Sequence, residues 1–441
     1  MKPQNLLVIM SDEHSRKVLG CYGDSVVQTP NLDALAARGT RFSQAYTSSP
    51  ICVPARAAFA LGQYVHQVGF WDNADPYDGS MQSWHHLLRG RGHHVASIGK
   101  LHFRSSEEDN GFSEELLPMH VVDQKGDLIG LLRDPLAPRG HAKKLAATAG
   151  PGESTYTTYD RAIAAQAQIW LREQAQRHVD KPWVLFVSFV APHFPLTAPP
   201  EHYYRYADQK LPWPKLHGRP GPDQHPYVRD YASCIDYGAY FEDDRHVQRA
   251  LASYYGLCSF LDEQIGKVLQ ALQDSGLAEQ TRIVYTSDHG DNLGTRGLWG
   301  KSTLYEESAG CPLIVAGEGL PVQILQVGGE RAEAVQGLDA VEALQPGLRG
   351  ARFGERARHL PQGCGRGGEP GAADRARRRG PEQPLQPSAR AIDRAAGARA
   401  RGSVPPHQAP GSAPTHRPSG AGLSMPPARP GSSNPASGFP W

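Results

Sequence analysis

The sequence predicts an α/β fold, a mostly parallel central sheet sandwiched by helices, and three observations carry that expectation. Residues 5–10 and 183–190 are nearly continuous apolar runs of strand length, the pattern of central strands buried on both faces. Stretches with apolar residues at helical spacing fall between such runs, so strands and helices alternate along the chain. Loops rich in Asp, His, Lys and Gly follow the apolar runs, the arrangement of an open sheet that binds ligands beyond the carboxyl ends of its strands.

Asn5-Leu6-Leu7-Val8-Ile9-Met10 predicts the first central strand, running out into Ser11-Asp12-Glu13-His14. Thr29-Pro30-Asn31-Leu32-Asp33 predicts a helix start. Thr29 is its N-cap, Pro30 takes the first helical position, where a missing N–H costs nothing, and Gly39 is the stop. A second unit pairs residues 42–47 with a helix after Cys52. A third pairs a helix over 84–89 with a strand over 93–98 that ends at Gly99-Lys100-Leu101-His102. Residues 103–154 are weakly periodic and predict an excursion over the surface. Ile163, Ala167, Trp170 and Leu171 predict a helix over 159–176. The run from Trp183 to Val190 then delivers Ala191-Pro192-His193, and residues 194–244, rich in Pro, Tyr and His, predict a long loop or lid. Leu251, Tyr254, Tyr255, Cys258, Leu261, Ile265, Val268 and Leu272 make one face of a helix over 247–272, ended by Gly276. A strand over 282–286 leads to Ser287-Asp288-His289-Gly290-Asp291, and residues 311–317 predict a further strand of the same sheet.

Beyond residue 317 the character of the chain changes. No lysine follows Lys301 and no tyrosine follows Tyr305, while arginine runs such as Arg375-Ala376-Arg377-Arg378-Arg379 stand among Gly, Pro, Ala and Ser. That composition cannot bury enough apolar surface to offset chain entropy. Residues 1–317 therefore read as the catalytic domain and 318–441 as a disordered or aberrant tail, with a frame-shifted reading of a GC-rich gene as its expected origin. A formal net charge of +1 implies no nucleic-acid partner. The apolar run at 6–10 is too short for a signal sequence or a membrane span, so the expectation is a cytoplasmic protein with no membrane partner. The cysteines, at 21, 52, 234, 258, 311 and 364, form no C-x-x-C pair, and neither a disulfide framework nor a zinc site is expected.

The reactive centre is expected at Pro50-Ile51-Cys52-Val53-Pro54-Ala55-Arg56. Pro54 in a first helical turn puts Cys52 at a helix N-terminus, where free N–H groups and the helix dipole stabilise anions, a thiolate among them. Arg56, one turn on, faces the same spot. Asp12, Lys100, His193 and Asp288 all follow predicted strand ends, and one fold rule gathers them with Cys52. Taken singly, Asp12 and Asp288 are as readily turn formers, and His14, His66, His85, His86, His93 and His94 read as structural.

In this order, Asp12, Cys52-Val53-Pro54-Ala55-Arg56 and Ser287-Asp288-His289-Gly290 resemble the sulfatase family of the alkaline phosphatase superfamily. Thr29 to Asp33, Gly99-Lys100-Leu101-His102, Ala191-Pro192-His193 and Gly300-Lys301 agree, and Asp72-Asn73-Ala74 resembles the choline-sulfatase and phosphonate-monoesterase branch. The resemblance spans residues 4–317 and implies an alkaline phosphatase-like fold and the hydrolysis of sulfate monoesters, with phosphonate or phosphate esters as the neighbouring substrate class. It also implies oxidation of Cys52 to formylglycine by a formylglycine-generating enzyme. Ala55 departs from the serine common at that place. Asp12, Asp288, His289 and position 52 would hold a divalent metal, calcium first, with magnesium or manganese as alternatives; Glu13 is a possible further ligand. Arg56 and Lys100 would hold the hydrated aldehyde, whose attack on sulfur expels the alcohol, and His102 would accept a proton as the aldehyde re-forms and sulfate leaves. Asn73, His193 and Lys301 would contact sulfate oxygens or protonate the leaving group. The resemblance leaves a second reading open, an inactive product lacking the C-terminal subdomain that closes the family's substrate pocket.

Overall fold

The computed structural model describes residues 4–128, 139–178, 180–218, 224–317 and 323–325. Eight strands form one sheet: β1 (Asn5–Asp12), β2 (Gly39–Phe42), β3 (Val95–Lys100), β4 (Glu114–Met119), β5 (Val184–Pro192), β6 (Thr281–Ser287), β7 (Leu313–Ala316) and β8 (Gln323–Leu325). Their order is β8-β2-β7-β6-β1-β5-β3-β4. Only β7 runs antiparallel to its neighbours, β6 and β2; the other pairings are parallel. The α/β expectation therefore stands.

The period of two along each central strand divides the core into two layers. Leu7, Ile9, Leu185, Val187, Phe189, Ile283 and Tyr285 pack on one side with helices α1 (Pro30–Ala37), α4 (Thr155–Ile169) and α6 (Asp244–Asp274). Leu6, Val8, Met10, Val184, Phe186 and Val284 pack on the other with α2 (Cys52–Leu61) and α3 (Trp84–Gly90). Helices thus cover both faces, which is why the central strands tolerate uninterrupted apolar sequence.

Four differences from the expected elements have local causes. Residues 103–154 are not all excursion: β4 closes one edge of the sheet, and its half-exposed sequence, with Pro118 in it, suits an edge strand and hides its period. Residues 194–244 carry short helices at Pro200–Tyr203 and at α5 (Pro226–Cys234) rather than loop alone. The helix expected over 159–176 begins at Thr155, where the Ser154 hydroxyl accepts the Thr157 N–H; it passes into a π-turn at Trp170–Gln174 and a 3-10 turn at Ala175–Arg177. The N-terminus of α1 is capped from a distance. Thr29 makes no side-chain cap, and the Asp262 carboxylate on α6 accepts the Asn31 and Leu32 N–H groups instead.

Strand β8 lies beyond the expected boundary at 317 and pairs in parallel with β2. The remainder of the expected tail lies outside the described residues. Among the described residues no helix is long and apolar enough to cross a membrane.

Candidate active site

Parallel β1, β3, β5 and β6 end on one edge of the sheet, so the residues that follow them share one crevice. Asp12 closes β1, Lys100 closes β3, His193 follows β5 and Asp288 follows β6. Helix α2 brings Cys52 to the same place on its first turn. Its Cys52 N-terminus is part of the site, and the Asn73 side-chain oxygen accepts the Val53 N–H at 3.2 Å. Asn73 thereby orients the helix start, with its amide NH2 not used in that bond.

The centre is an ion-pair lattice closed to water. Asp12 Oδ2 receives Lys100 Nζ at 2.6 Å and Arg56 Nη2 at 3.1 Å; Asp288 Oδ2 receives Arg56 Nε at 2.8 Å. Arg56 also donates to the Lys100 carbonyl at 2.8 Å and to the Ser188 hydroxyl at 2.9 Å, so one planar fork meets four acceptors. Both carboxylates keep Oδ1 for the other side. Asp288 Oδ1 accepts the Glu13 and His289 N–H groups, and Asp12 Oδ1 faces the Cys52 thiol at 3.6 Å. Burial opposes the charge on Asp12, but Lys100, His193, Lys301 and Arg56 hold its carboxyl well below the usual range.

Cys52 Sγ lies 3.2 Å from His289 Nε2 and receives Lys301 Nζ at 2.8 Å. Burial first and Asp12 second push the thiol up to about 12, against the pull of Lys301 and Lys100. The thiolate expected from the helix N-terminus is therefore disfavoured. His289 pairs Nδ1 with the Gly290 carbonyl at 3.0 Å, which fixes Nδ1 as the donor and leaves the Nε2 lone pair toward the thiol. Gly290 has no room for a side chain, because a Cβ would run into the Glu307 carbonyl. His193 likewise pairs Nδ1 with the Phe194 carbonyl at 2.7 Å and turns Nε2 inward, 3.4 Å from Glu13 Oε2. His102 has a left-handed backbone, φ 60°, just past β3. Burial, then Lys100 and Arg56, hold its imidazole neutral, well below the usual histidine range.

The donor set suits a divalent cation. One atom each from Asp12, Cys52, Asp288 and His289 lie within 4.8 Å of one another, and Asp12, Glu13 and His193 form a second such group. Glu13 Oε1 is buried with no hydrogen-bond partner among the described residues, an oxygen that a cation would satisfy.

The eleven candidate site residues named from the sequence, Glu13 among them, lie at or beside this crevice. Three further groups shape it. Ser188 anchors Arg56, and its signal was a lone hydroxyl inside an apolar central strand. Asp160 accepts the Val190 and Ala191 N–H groups at 2.8 and 2.7 Å, fixing the strand end before His193; a carboxylate on the apolar face of α4 was its signal. Tyr156 stands edge to face with His193, ring centres 6.1 Å apart, and no motif marks it. The histidines read as structural fit that reading: His14 pairs with the Tyr285 hydroxyl and the Val18 carbonyl, and His85 with the Asn110 carbonyl.

Comparison with known proteins gives the family of the chain. The chain is 33% identical over 326 residues to choline-sulfatase of Rhizobium meliloti (strain 1021), covering 72% of this chain and 63% of that protein. It is 31% identical over 324 residues to the uncharacterized sulfatase YidJ of Escherichia coli (strain K12), covering 71% and 63%. It thus spans less than two thirds of the length of these curated relatives. The phosphonate monoester hydrolase of Agrobacterium radiobacter shares the fold, with a TM-score of 0.60 at 24% identity over 73% of this chain and 70% of that one. The family model described as Sulfatase matches residues 4–340, from β1 through the last described strand, and the chain accordingly belongs to the sulfatase family.

Proposed function

We propose that this chain hydrolyses sulfate monoesters at the crevice around position 52, after a formylglycine-generating enzyme has oxidised Cys52, with a divalent metal held by Asp12, Asp288, His289 and residue 52. The observation that carries the reading is the environment of Sγ, a neutral thiol between Asp12, His289 and Lys301. A thiol held protonated is a poor nucleophile, whereas a precursor needs only to occupy the right place. A hydrated aldehyde there supplies an oxygen nucleophile, and the metal, calcium first and magnesium or manganese as alternatives, supplies charge stabilisation for the sulfate oxygens.

The chain's own groups divide the remaining work. Arg56 and Lys100 fix Asp12 and Asp288 and supply positive charge beside residue 52. His102, neutral, can accept a proton at an imidazole nitrogen. Lys301 brings N–H donors toward the ester, His193, whose Nδ1–H goes to the Phe194 carbonyl, turns an Nε2 acceptor inward, and the NH2 of Asn73 serves a sulfate oxygen. A cytoplasmic location belongs to the same proposal.

Peptide mass analysis at residue 52, combined with assays on an aryl sulfate and an aryl phosphonate ester, tests the reading. Conversion at Cys52 and higher kcat/KM on the sulfate support it. Higher kcat/KM on the phosphonate ester moves the chain to the neighbouring substrate class. An unconverted cysteine with no turnover favours the inactive product. Cys52→Ala is expected to abolish turnover while leaving the circular dichroism spectrum and melting temperature nearly unchanged; full activity in that variant would rule out the mechanism.

A further inference from the structure

Asp12 and Glu13 are consecutive, yet both carboxylates face the crevice: one oxygen of each lies within 4.8 Å of the other and of a His193 nitrogen. Along a strand successive side chains point to opposite faces, so a chain that stayed extended past the end of β1 would turn Glu13 away from the partners of Asp12. Glu13 instead has a left-handed backbone, φ 67°. A residue with a Cβ holds that conformation only where its surroundings fix it. The turn is what brings the Glu13 side chain inward, fully buried, with Oε2 3.3 Å from Lys301 Nζ and 3.4 Å from His193 Nε2.

The backbone of this turn is gripped from two elements. At the end of β6, Asp288 Oδ1 accepts the Glu13 N–H at 3.1 Å and the Ser287 hydroxyl accepts the His14 N–H at 2.9 Å. From α6, the Tyr254 hydroxyl donates to the Glu13 carbonyl at 2.6 Å and accepts the Ser15 N–H at 2.8 Å. Ser287 and Tyr254 therefore hold the two sides of the peptide that follows Glu13, and one phenol oxygen ties residue 13 to residue 15. Tyr254 is fully buried, and burial holds its phenol well above the usual tyrosine range, so the O–H stays available as a donor. Without that hydroxyl a buried carbonyl and a buried N–H lose their partner, and the peptide is free to rotate toward the extended form.

We propose that Tyr254 is a positioning residue for the metal centre, whose hydroxyl holds Glu13 in the left-handed turn that sets a second carboxylate beside Asp12 and so raises the affinity for a divalent cation. The inference rests on the metal reading of the site and adds to it a residue that acts through Glu13. In Tyr254→Phe the turn relaxes while the site is empty, and binding must restore it. A cost of about 1.4 kcal/mol, in the range for a buried polar group deprived of its partner, is about tenfold in affinity.

Calcium titrated by calorimetry into the full chain tests this without turnover, with the state of residue 52 matched between proteins by peptide mass and melting temperatures taken in chelator. The variants are Tyr254→Phe, Glu13→Gln, the two together, and Tyr206→Phe. Tyr206 supplies the comparison: it is buried, and its hydroxyl accepts the Gln28 N–H at 2.8 Å and pairs with Ser259, neither of them a site residue. Both single phenylalanine variants should melt lower in chelator, but only Tyr254→Phe should weaken calcium, by about tenfold. In the Glu13→Gln background the same change should weaken it less than twofold. Unchanged calcium affinity in Tyr254→Phe, or equal weakening in Tyr206→Phe, overturns the positioning role. Tenfold weakening that persists in the Glu13→Gln background overturns the route through Glu13. Each of these results leaves the metal reading intact, whereas a parent chain that binds none of calcium, magnesium and manganese overturns that reading and this inference with it.

Discussion

Arg56 ties the two acidic strand ends together, and its removal should be felt in stability before it is felt in chemistry. In Arg56→Ala, Asp12 keeps Lys100 at 2.6 Å, but Asp288 loses the guanidinium that meets its Oδ2 at 2.8 Å, and both carboxylates remain fully buried. Removing one partner of a buried ion pair costs about 3–5 kcal/mol, because the other charge is left without compensation. Taking about 4 kcal/mol, with roughly 2–4 °C per kcal/mol for a domain of 150–250 residues, the melting temperature should fall by about 8–16 °C. The pH dependence has a definite sign. A carboxyl with a depressed folded pKa, as at Asp12, contributes stability that is present above its unfolded pKa and lost as pH falls through the folded value. The deficit of the variant should therefore be largest near neutral pH and shrink in acid as Asp12 takes up a proton. Thermal denaturation followed by circular dichroism, with chelator present, measures both quantities. Arg56→Lys, which reaches fewer of the four acceptors, should lie between the two. A melting temperature within 2 °C of the parent, or a deficit that grows in acid, would refute the ion-pair argument.

Asp160 should behave in the opposite sense. Burial pushes its carboxyl up to about 7 despite two backbone N–H donors. A carboxyl raised from 3.8 makes the folded state bind the extra proton, so this group should cost about 4 kcal/mol of stability as pH rises from 4 to above 7. Asp160→Asn should flatten that part of the stability profile, as read by denaturant midpoints at successive pH values, and an unchanged slope would count against it. Chelation should abolish ester hydrolysis, and calcium, magnesium or manganese should restore it; Asp288→Asn should raise the metal concentration needed by at least tenfold, measured as activity against free metal. Full activity in excess chelator would remove the metal from the proposal.

The legible part of the fold was the part dictated by burial. Residues 5–10, 183–190 and 282–286 are apolar because helices cover both faces of β1, β5 and β6, and such runs announce themselves. The edge strand β4 has no such constraint. Its Glu114-Glu115-Leu116-Leu117-Pro118-Met119 sequence alternates with neither period, since half of it meets solvent and only β3 fixes its register. Thr29 takes the expected N-cap position of α1, but its side chain makes no cap bond, for a related reason. Thr29 has the right residue type, but the N–H groups are taken by Asp262, more than two hundred residues along, and the Thr29 hydroxyl accepts the Gly20 N–H instead. Local chemistry offers candidates for a cap, and tertiary contact decides among them.

The same division runs through the site. Residue types at strand ends and in the Cys52 helix start named the charged groups, because charge that cannot be buried alone must be gathered in partners. Their protonation was a different matter. A helix N-terminus carries about half a positive charge, which argues for a thiolate at Cys52. In the folded chain full burial drives the thiol up, and Asp12, forty residues earlier and 3.6 Å from Sγ, adds to that effect. Whole negative charges at short range outweigh a partial dipole when water is excluded. On the proposed reading, Asp12 both raises the Sγ thiol and would hold the cation, so the group that makes Sγ a poor nucleophile is one that a metal-bound oxygen at that position would use.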